Sequence, residues 1–362
     1  MATIYASLGW YAVAAQQQES AYRIRVDQLA GDGPVPLNWL AVYYYWAGMY
    51  REAEPLYQQV LEKCLERDAE YPIHKEHLWL VWNANLGVTR GALGRFEEAE
   101  LLVRPLVEES PGPGYGLCLG RIYRELGRHE AAERVLRESL NAGRKRDEED
   151  RSWRFVASMV RCMHELGLLR LAQGDDEEAE RLFAEGIEYG SRELPGKDHP
   201  HTLRNMHGLA TIRIKQERYE EADRLLERVL TGQELKLGKD HPRRLQTIND
   251  FGVLRREQQH YDEAESLFHQ ALEGRQLKLG DDHPDTLESK YDLAVLYKEK
   301  DNYAKAEPLL LEVIEGRRLK LGDTHPHTKE SLNNLIALYQ AWGKPEKAEQ
   351  WKVKLSESRS RP

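Results

Sequence analysis

The side chains of this chain that combine useful chemistry with regular spacing are four histidines, each followed by proline. They are His199, His241, His283 and His325, at one constant interval of 42 residues. Histidine is a common metal ligand and a base near neutral pH. A metal site, however, needs three or four donors within about 2.0–2.3 Å of one ion. One histidine per period spreads the donors along the chain instead of gathering them. The expected role is structural: a His-Pro turn that holds the start of the next element. Gly112, Gly114 and Gly116 form a glycine-rich stretch, but no strand pattern precedes it and no Lys-Ser or Lys-Thr follows, as a phosphate loop requires. Asp175, Asp176, Glu177 and Glu178 stand at an expected helix start, where they favour the dipole and water. Cys64, Cys118 and Cys162 make no disulfide framework and no four-cysteine zinc pattern, and each falls within a helical pattern. No nucleophile elbow and no His-Glu-x-x-His occur. The expectation is a non-enzymatic protein with no cofactor and no metal.

A fixed period of this length means a repeat architecture. Leu-Lys-Leu-Gly precedes three of the four His-Pro steps, at Leu235–Gly238, Leu277–Gly280 and Leu319–Gly322. Apolar residues three and four apart then follow, as in Leu287, Leu293, Ala294, Leu296 and Tyr297. After a polar break at Asp301 and Asn302 a second such series runs through Tyr303, Ala306, Leu309, Leu310, Val313 and Ile314. The spacing predicts two amphipathic helices per repeat. Glycine supplies the helix stop and proline the next helix start. One alanine of the second helix recurs upstream, at Ala53, Ala99, Ala132, Ala179, Ala222, Ala264, Ala306 and Ala348. A small residue twelve positions earlier keeps pace: Ala41, Gly87, Gly120, Gly167, Ala210, Gly252 and Ala294, with Ile336 in the last copy. Paired small residues let two helices approach closely. Two stretches, Ser110–Gly114 and Asn141–Asp150, read as longer turns between repeats.

Composition agrees. The chain has 362 residues, 41% hydrophobic and 31% charged, with net charge −9. That is enough apolar material for a large core, and the acidic balance argues against nucleic acid and membrane surfaces as partners. No apolar run approaches the ~18 residues of a membrane helix, and no signal peptide is visible. A reducing cytoplasm fits the cysteines.

With Asp-His-Pro from Asp198 onward, Asn333-Asn334-Leu335, and the run from Tyr303 to Leu309, the chain resembles the tetratricopeptide repeat (TPR). The likeness is to the long-period form found in kinesin light chains and many microbial signalling proteins, over roughly residues 34–355. It implies an all-α fold: a right-handed superhelical solenoid of antiparallel helix pairs, about eight repeats plus a degenerate N-terminal pair. The expected layout is 1–33 degenerate repeat or capping helices, 34–197 four divergent repeats, 198–357 four regular 42-residue repeats, and 358–362 a frayed tail.

The resemblance also implies a concave groove lined by the first helix of each pair. Carried over in register, its inward positions are Asn38, Val42, Tyr45 and Trp46 in the first repeat, and Arg121 and Arg124 in the third. They continue with Arg161 and His164 in the fourth, and Arg204, His207 and Lys215 in the fifth. Asn249 and Arg256 follow in the sixth, Tyr291 and Lys298 in the seventh, and Asn333 in the eighth. The second repeat contributes the apolar Val81, Ala84, Val88 and Ala92, not the Lys/Asn/Arg set with which chaperone-binding relatives hold a terminal carboxylate. Along this face the N-terminal end is aromatic and apolar, the middle basic, and the C-terminal end mixed. A basic concave wall focuses potential on an acidic segment, and arginine suits fork-like bonding to carboxylates. The expected function is a scaffold or adaptor binding a protein or peptide partner, acidic, with an aromatic or apolar anchor. The alternative is a ligand-sensing or regulatory domain of a larger signalling protein or pathway.

Overall fold

A computed structural model describes residues 34–66, 75–109, 113–149, 153–196 and 198–360. The expected degenerate repeat at 1–33 and the last two positions of the expected tail lie outside them. Sixteen helices fill the described residues, with no strand among them. In order they are α1 (Pro34–Trp46), α2 (Tyr50–Glu66), α3 (Lys75–Ala92), α4 (Phe96–Glu109), α5 (Pro113–Glu125), α6 (His129–Glu149), α7 (Trp153–Gln173) and α8 (Asp176–Glu193). Then follow α9 (Pro200–Lys215), α10 (Tyr219–Leu237), α11 (Pro242–Glu257), α12 (Tyr261–Leu279), α13 (Pro284–Glu299), α14 (Tyr303–Leu321), α15 (Pro326–Ala341) and α16 (Pro345–Ser360). The chain forms two compact units, divided in sequence between Arg244 and Leu245.

Each helix pair is turned by the same local device. One or two residues past the first helix's end the backbone takes a positive φ, and the next N–H reaches five residues back. Gly48, Gly94, Gly127, Gly174 and Gly343 occupy the position where glycine is at ease, whereas Glu217, Gln259 and Asp301 occupy it with φ of 59°, 62° and 55°. A non-glycine residue there costs roughly 1–2 kcal/mol. The compensating bonds are short, such as Arg218 N–H to the Arg213 carbonyl at 2.8 Å and Asn302 N–H to that of Tyr297 at 2.8 Å. Because the device recurs in all eight described pairs, the hairpin geometry is uniform although the residue is not.

The alanine series is the packing seam: Ala53, Ala99, Ala132, Ala179, Ala222, Ala264 and Ala306 are fully buried, and Ala348 nearly so. The partner small residues admit large side chains. A Cβ on Gly167 or on Gly208 would stand 2.5 Å from the Phe183 ring, so that ring from α8 fills the space that glycines on α7 and α9 leave open. Within the Leu-Lys-Leu-Gly phrases, Leu237 and Leu279 are buried while Leu235, Leu277 and Leu319 face solvent. The stretch 141–149, expected as part of a longer turn, instead continues α6 to Glu149. Its Arg, Lys and Glu residues are good helix formers, and Arg144 pairs with Glu185 at 2.7 Å.

The His-Pro histidines are helix caps. Nδ1 of His199, His241, His283 and His325 accepts the backbone N–H two residues on, at 3.2, 3.0, 3.1 and 3.3 Å. The imidazole thus does the work usually given to Ser or Asp, and it must be neutral with its proton on Nε2. Burial, with Lys236 and Arg243 nearby, brings His199 down to about 4 from an ordinary 6.5. A histidine depressed in the folded state stabilises fully above its unfolded pKa and loses that contribution as pH falls toward the folded one. His199 should therefore cost the fold up to ~3 kcal/mol between pH ~6.5 and ~4. Urea midpoints for wild type and His199→Asn should lie nearest each other above pH ~6.5 and separate toward the acid end, where wild type loses this contribution and the asparagine cap, which does not titrate, keeps its own. Parallel curves would refute the assignment.

Candidate functional site

In unit 1 the first helices of successive pairs, α1, α3, α5, α7 and α9, pack side by side as well as against their own partners. Side chains at like register positions on neighbouring first helices therefore come together on one inner wall. At its centre stands Glu165 of α7, its side chain only 2% exposed. Arg124 of α5 donates to Glu165 Oε2 from Nε at 3.3 Å and from Nη2 at 3.2 Å, and Arg204 of α9 donates to Oε1 at 2.8 Å. Burial alone would raise this carboxyl, but Arg124, Arg204, His164 and Arg121 hold it well below the usual carboxylate range. The positive side is in excess. Burial first, then Arg243, brings Arg204 down to about 9, with Arg121 and Arg161 acting in the same direction and Glu165 against them.

Arg121 and Arg161 differ from Arg124 and Arg204. Among the described residues neither has a carboxylate within ion-pairing distance, and the buried Nε of Arg161 has no hydrogen-bond partner. They line a small recess with Tyr45, Val88, Gly91, Phe96, Leu117, Cys118, Ile122 and Glu165, whose volume of about 20 Å³ leaves room for about one water molecule.

A contact across 195 residues joins the end of α1 to the start of α11. The His241 cap fixes Nε2 as a donor, and it lies 3.2 Å from the Trp46 carbonyl at the end of α1. Two residues on, Gly48, at φ +77°, lies so close to Pro242 that a Cβ there would be 2.4 Å from the proline Cδ.

The other groove positions are placed as follows. Asn38 accepts from Asn85 at 3.2 Å, and Val42 packs into the first-repeat core. Trp46 meets Tyr43 edge-on. His164 is buried against Phe183, turned to the core side of α7, and burial lowers its pKa well below the usual value. His207 is half-buried on α9, and Lys215 pairs with Asp176 at 2.6 Å near the surface. In unit 2, Asn249 is buried, donating to Asp292 at 2.6 Å and accepting from Ser289 at 2.8 Å. Arg256 pairs with Glu257, and Tyr291 accepts from Asn334 at 2.6 Å. Lys298 donates to Asn334 at 2.7 Å, while Asn333 is exposed. Burial raises the carboxyls of Glu288 and Asp292, which also oppose each other. The inner face of unit 2 is thus mixed, with its polar groups largely engaged by one another.

Glu165 and the apolar lining of the recess were not singled out from sequence. Only its position beside His164 and between two arginine-bearing repeats could have signalled Glu165. Two further residues escaped notice. Arg275, fully buried, donates from α12 to the Asp285 carbonyl and to Ser289 Oγ at 2.7 Å. Arg317, 42 residues on, makes the same bonds to the His327 carbonyl at 3.0 Å and Ser331 Oγ at 2.8 Å. Both tie one repeat to the next.

Burial pushes the Cys162 thiol up to about 12 and raises that of Cys118, so neither is a thiolate at neutral pH. Among the described residues no three His, Cys, Asp or Glu side chains are grouped to hold a metal ion, and no helix is long and apolar enough to cross a membrane.

Three family models, each described as a tetratricopeptide repeat, match the chain. One matches residues 158–234, 210–276 and 245–318, the second 119–151, and the third 37–66. No curated protein matches it. Among solved structures, the apo form of the quorum sensor NprR from B. thuringiensis aligns over 99% of this chain and 97% of its own, with TM-score 0.58 and 13% identity. BtubC (BKLC) from P. vanneervenii aligns over 65% of this chain and 91% of its own, with TM-score 0.49 and 20% identity. A Podosopora anserina chain of nearly identical, kinesin light chain TPR-like repeats aligns over 56% and 96%, with TM-score 0.44 and 26% identity.

Proposed function

This chain belongs to the tetratricopeptide repeat family, and we propose that it is a non-enzymatic adaptor that holds an acidic segment of a partner protein on the inner wall of unit 1. One observation carries this reading: on a wall whose buried centre holds Glu165, Arg124 and Arg204 are paired with that carboxylate, whereas Arg121 and Arg161 have no carboxylate within ion-pairing distance among the described residues. Arg124 is paired with Glu125 as well, at 2.6 Å, and a partner carboxylate is the natural complement to Arg121 and Arg161. The aromatic side chains of α1, with Tyr45 foremost, supply an apolar anchor at the N-terminal end of the same wall.

The test is anisotropy of a labelled glutamate-rich peptide carrying one tryptophan, beside its glutamine counterpart. Wild type should bind the acidic peptide and lose it as ionic strength rises. Arg161→Gln should weaken binding by about tenfold or more, the worth of one charged hydrogen bond. Arg161 is the choice because Arg204 is committed to Glu165 and its loss would disturb the fold. Equal affinity for both peptides, or for both proteins, would overturn the reading.

A further inference from the structure

Two buried nitrogens on neighbouring first helices of unit 1 have no hydrogen-bond partner: Nε of Arg161 on α7 and Nδ1 of His201 on α9. Asn205 holds the two helices together at this level. Its amide donates to the His201 carbonyl at 3.0 Å and to the Val160 carbonyl at 3.1 Å. The start of α9 therefore lies against the Val160–Arg161 step of α7. Arg204, one turn along α9 from His201, gives Glu165 only Nη2. Its side chain is 15% exposed, and Arg161 and His201 are half-buried, so solvent reaches part of all three.

The chain supplies its own comparison. His-Pro-His-Thr stands at 199–202 and again at 325–328. In the second copy His327 Nδ1 lies 3.5 Å from the carboxylate of Glu330, one turn on. In the first copy that place is taken by Arg204. An imidazole that faces an anion in one repeat faces a cation in the other, and its Nδ1 is left without a partner. A buried polar group in that state costs roughly 1–3 kcal/mol. Burial first, then His199, Arg161, Arg243 and Arg204, hold the His201 pKa well below its usual value, so the ring is neutral at pH 7 and adds no repulsion of its own. An anion from outside would meet here what Glu330 meets in the last repeat.

The number of donors selects the anion. Glu165 shows the reach of a carboxylate on this wall: its two oxygens serve Arg124 and Arg204. A phosphate monoester brings three terminal oxygens and a charge of about −1.5 to −2, which suits two guanidiniums and an imidazole. We infer that Arg161, Arg204 and His201 hold the phosphate of a phosphorylated serine or threonine in the partner segment. The inference rests on the adaptor reading above and names the kind of acid that the basic wall prefers.

The test uses the full chain and the tryptophan-bearing glutamate-rich peptide, beside the same peptide with one central glutamate replaced by phosphoserine. Anisotropy should show the phosphoserine peptide bound about tenfold more tightly. Two variants divide the contributions. Arg161→Gln should weaken both peptides, because both use the same wall. His201→Leu removes no charge at neutral pH; it should bind the glutamate peptide as wild type does and lose most of the phosphoserine gain. Neither side chain makes an ion pair or a side-chain hydrogen bond among the described residues, so thermal unfolding of both variants should stay near that of wild type. Equal affinity for the two peptides, or a phosphoserine gain that survives His201→Leu, would overturn the inference. The glutamate peptide keeps the two readings apart. If wild type binds it and phosphoserine adds nothing, the adaptor reading stands and this one falls. If neither peptide binds, both fall.

Discussion

Glu165→Leu should destabilise unit 1 by about 3–5 kcal/mol, the range for removing one partner of a buried ion pair. The glutamate is 2% exposed and holds Arg124 and Arg204 from the two flanking first helices. Leucine leaves both guanidiniums facing each other, with Arg121, Arg161 and Arg243 close behind. Urea unfolding followed by helical circular dichroism checks this. A loss below ~1 kcal/mol would mean that water reaches these groups and that the pair behaves as an exposed one. The pH dependence gives a second handle. Because the carboxyl is depressed in the folded state, its contribution is present above the unfolded value of 4.5 and is lost as pH falls below it. The gap between wild type and Glu165→Leu should therefore narrow below about pH 4.5. Adding Arg204→Met to Glu165→Leu should recover part of the loss, since the uncompensated charge, rather than the missing bond, carries most of the cost.

The second large effect is a reversal of sign at Gly208. In an ordinary helix Gly→Ala gains about 0.8–1 kcal/mol. Here the new Cβ would stand 2.5 Å from the Phe183 ring, so Gly208→Ala should lose about 1–3 kcal/mol by overpacking. Phe183→Ala alone should cost about 3–5 kcal/mol, because the ring is fully buried between α7 and α9 and leaves a cavity. With Phe183→Ala in place the clash is gone, and Gly208→Ala should then stabilise. Thermal unfolding of the four proteins of this cycle gives the coupling directly. Additive losses would show that the ring moves aside and that the glycine is not required by close approach.

These two sites differ in how far they were legible beforehand. The packing seam was readable: an alanine and a small residue twelve positions earlier recur because helices that pack closely leave no room for anything larger. Gly167 stands in that series, whereas Gly208 and Phe183 do not, the series passing through Ala210 instead. Glu165 was not. A single acid next to His164 has no period, and its importance comes from arginines 41 residues before it and 39 after it, brought together only when the first helices pack side by side. The arginines themselves were read in register, but two of the four are committed to Glu165 and two are not, a distinction that depends on side-chain reach. The charged run at 141–149 was misread for a related reason. Charge density suggested a turn, whereas long charged side chains favour a helix once pairs such as Arg144–Glu185 form.

Local rules with a fixed period were enough to determine the helix pairs, their turns, the helix-starting histidines and the repeat family, because each depends on neighbours within one repeat. Even there, the structure supplied the mechanism: an imidazole Nδ1 acting as the cap. What only the tertiary structure decided is everything that joins residues of different repeats. It placed Arg121, Arg161 and Tyr45 around one recess, joined Trp46 to His241 across 195 residues, and tied Arg275 and Arg317 into the following repeats. The physical reason is that periodicity records which face of a helix is buried, while the partner across an interface is chosen by the geometry of stacking, which no single repeat contains.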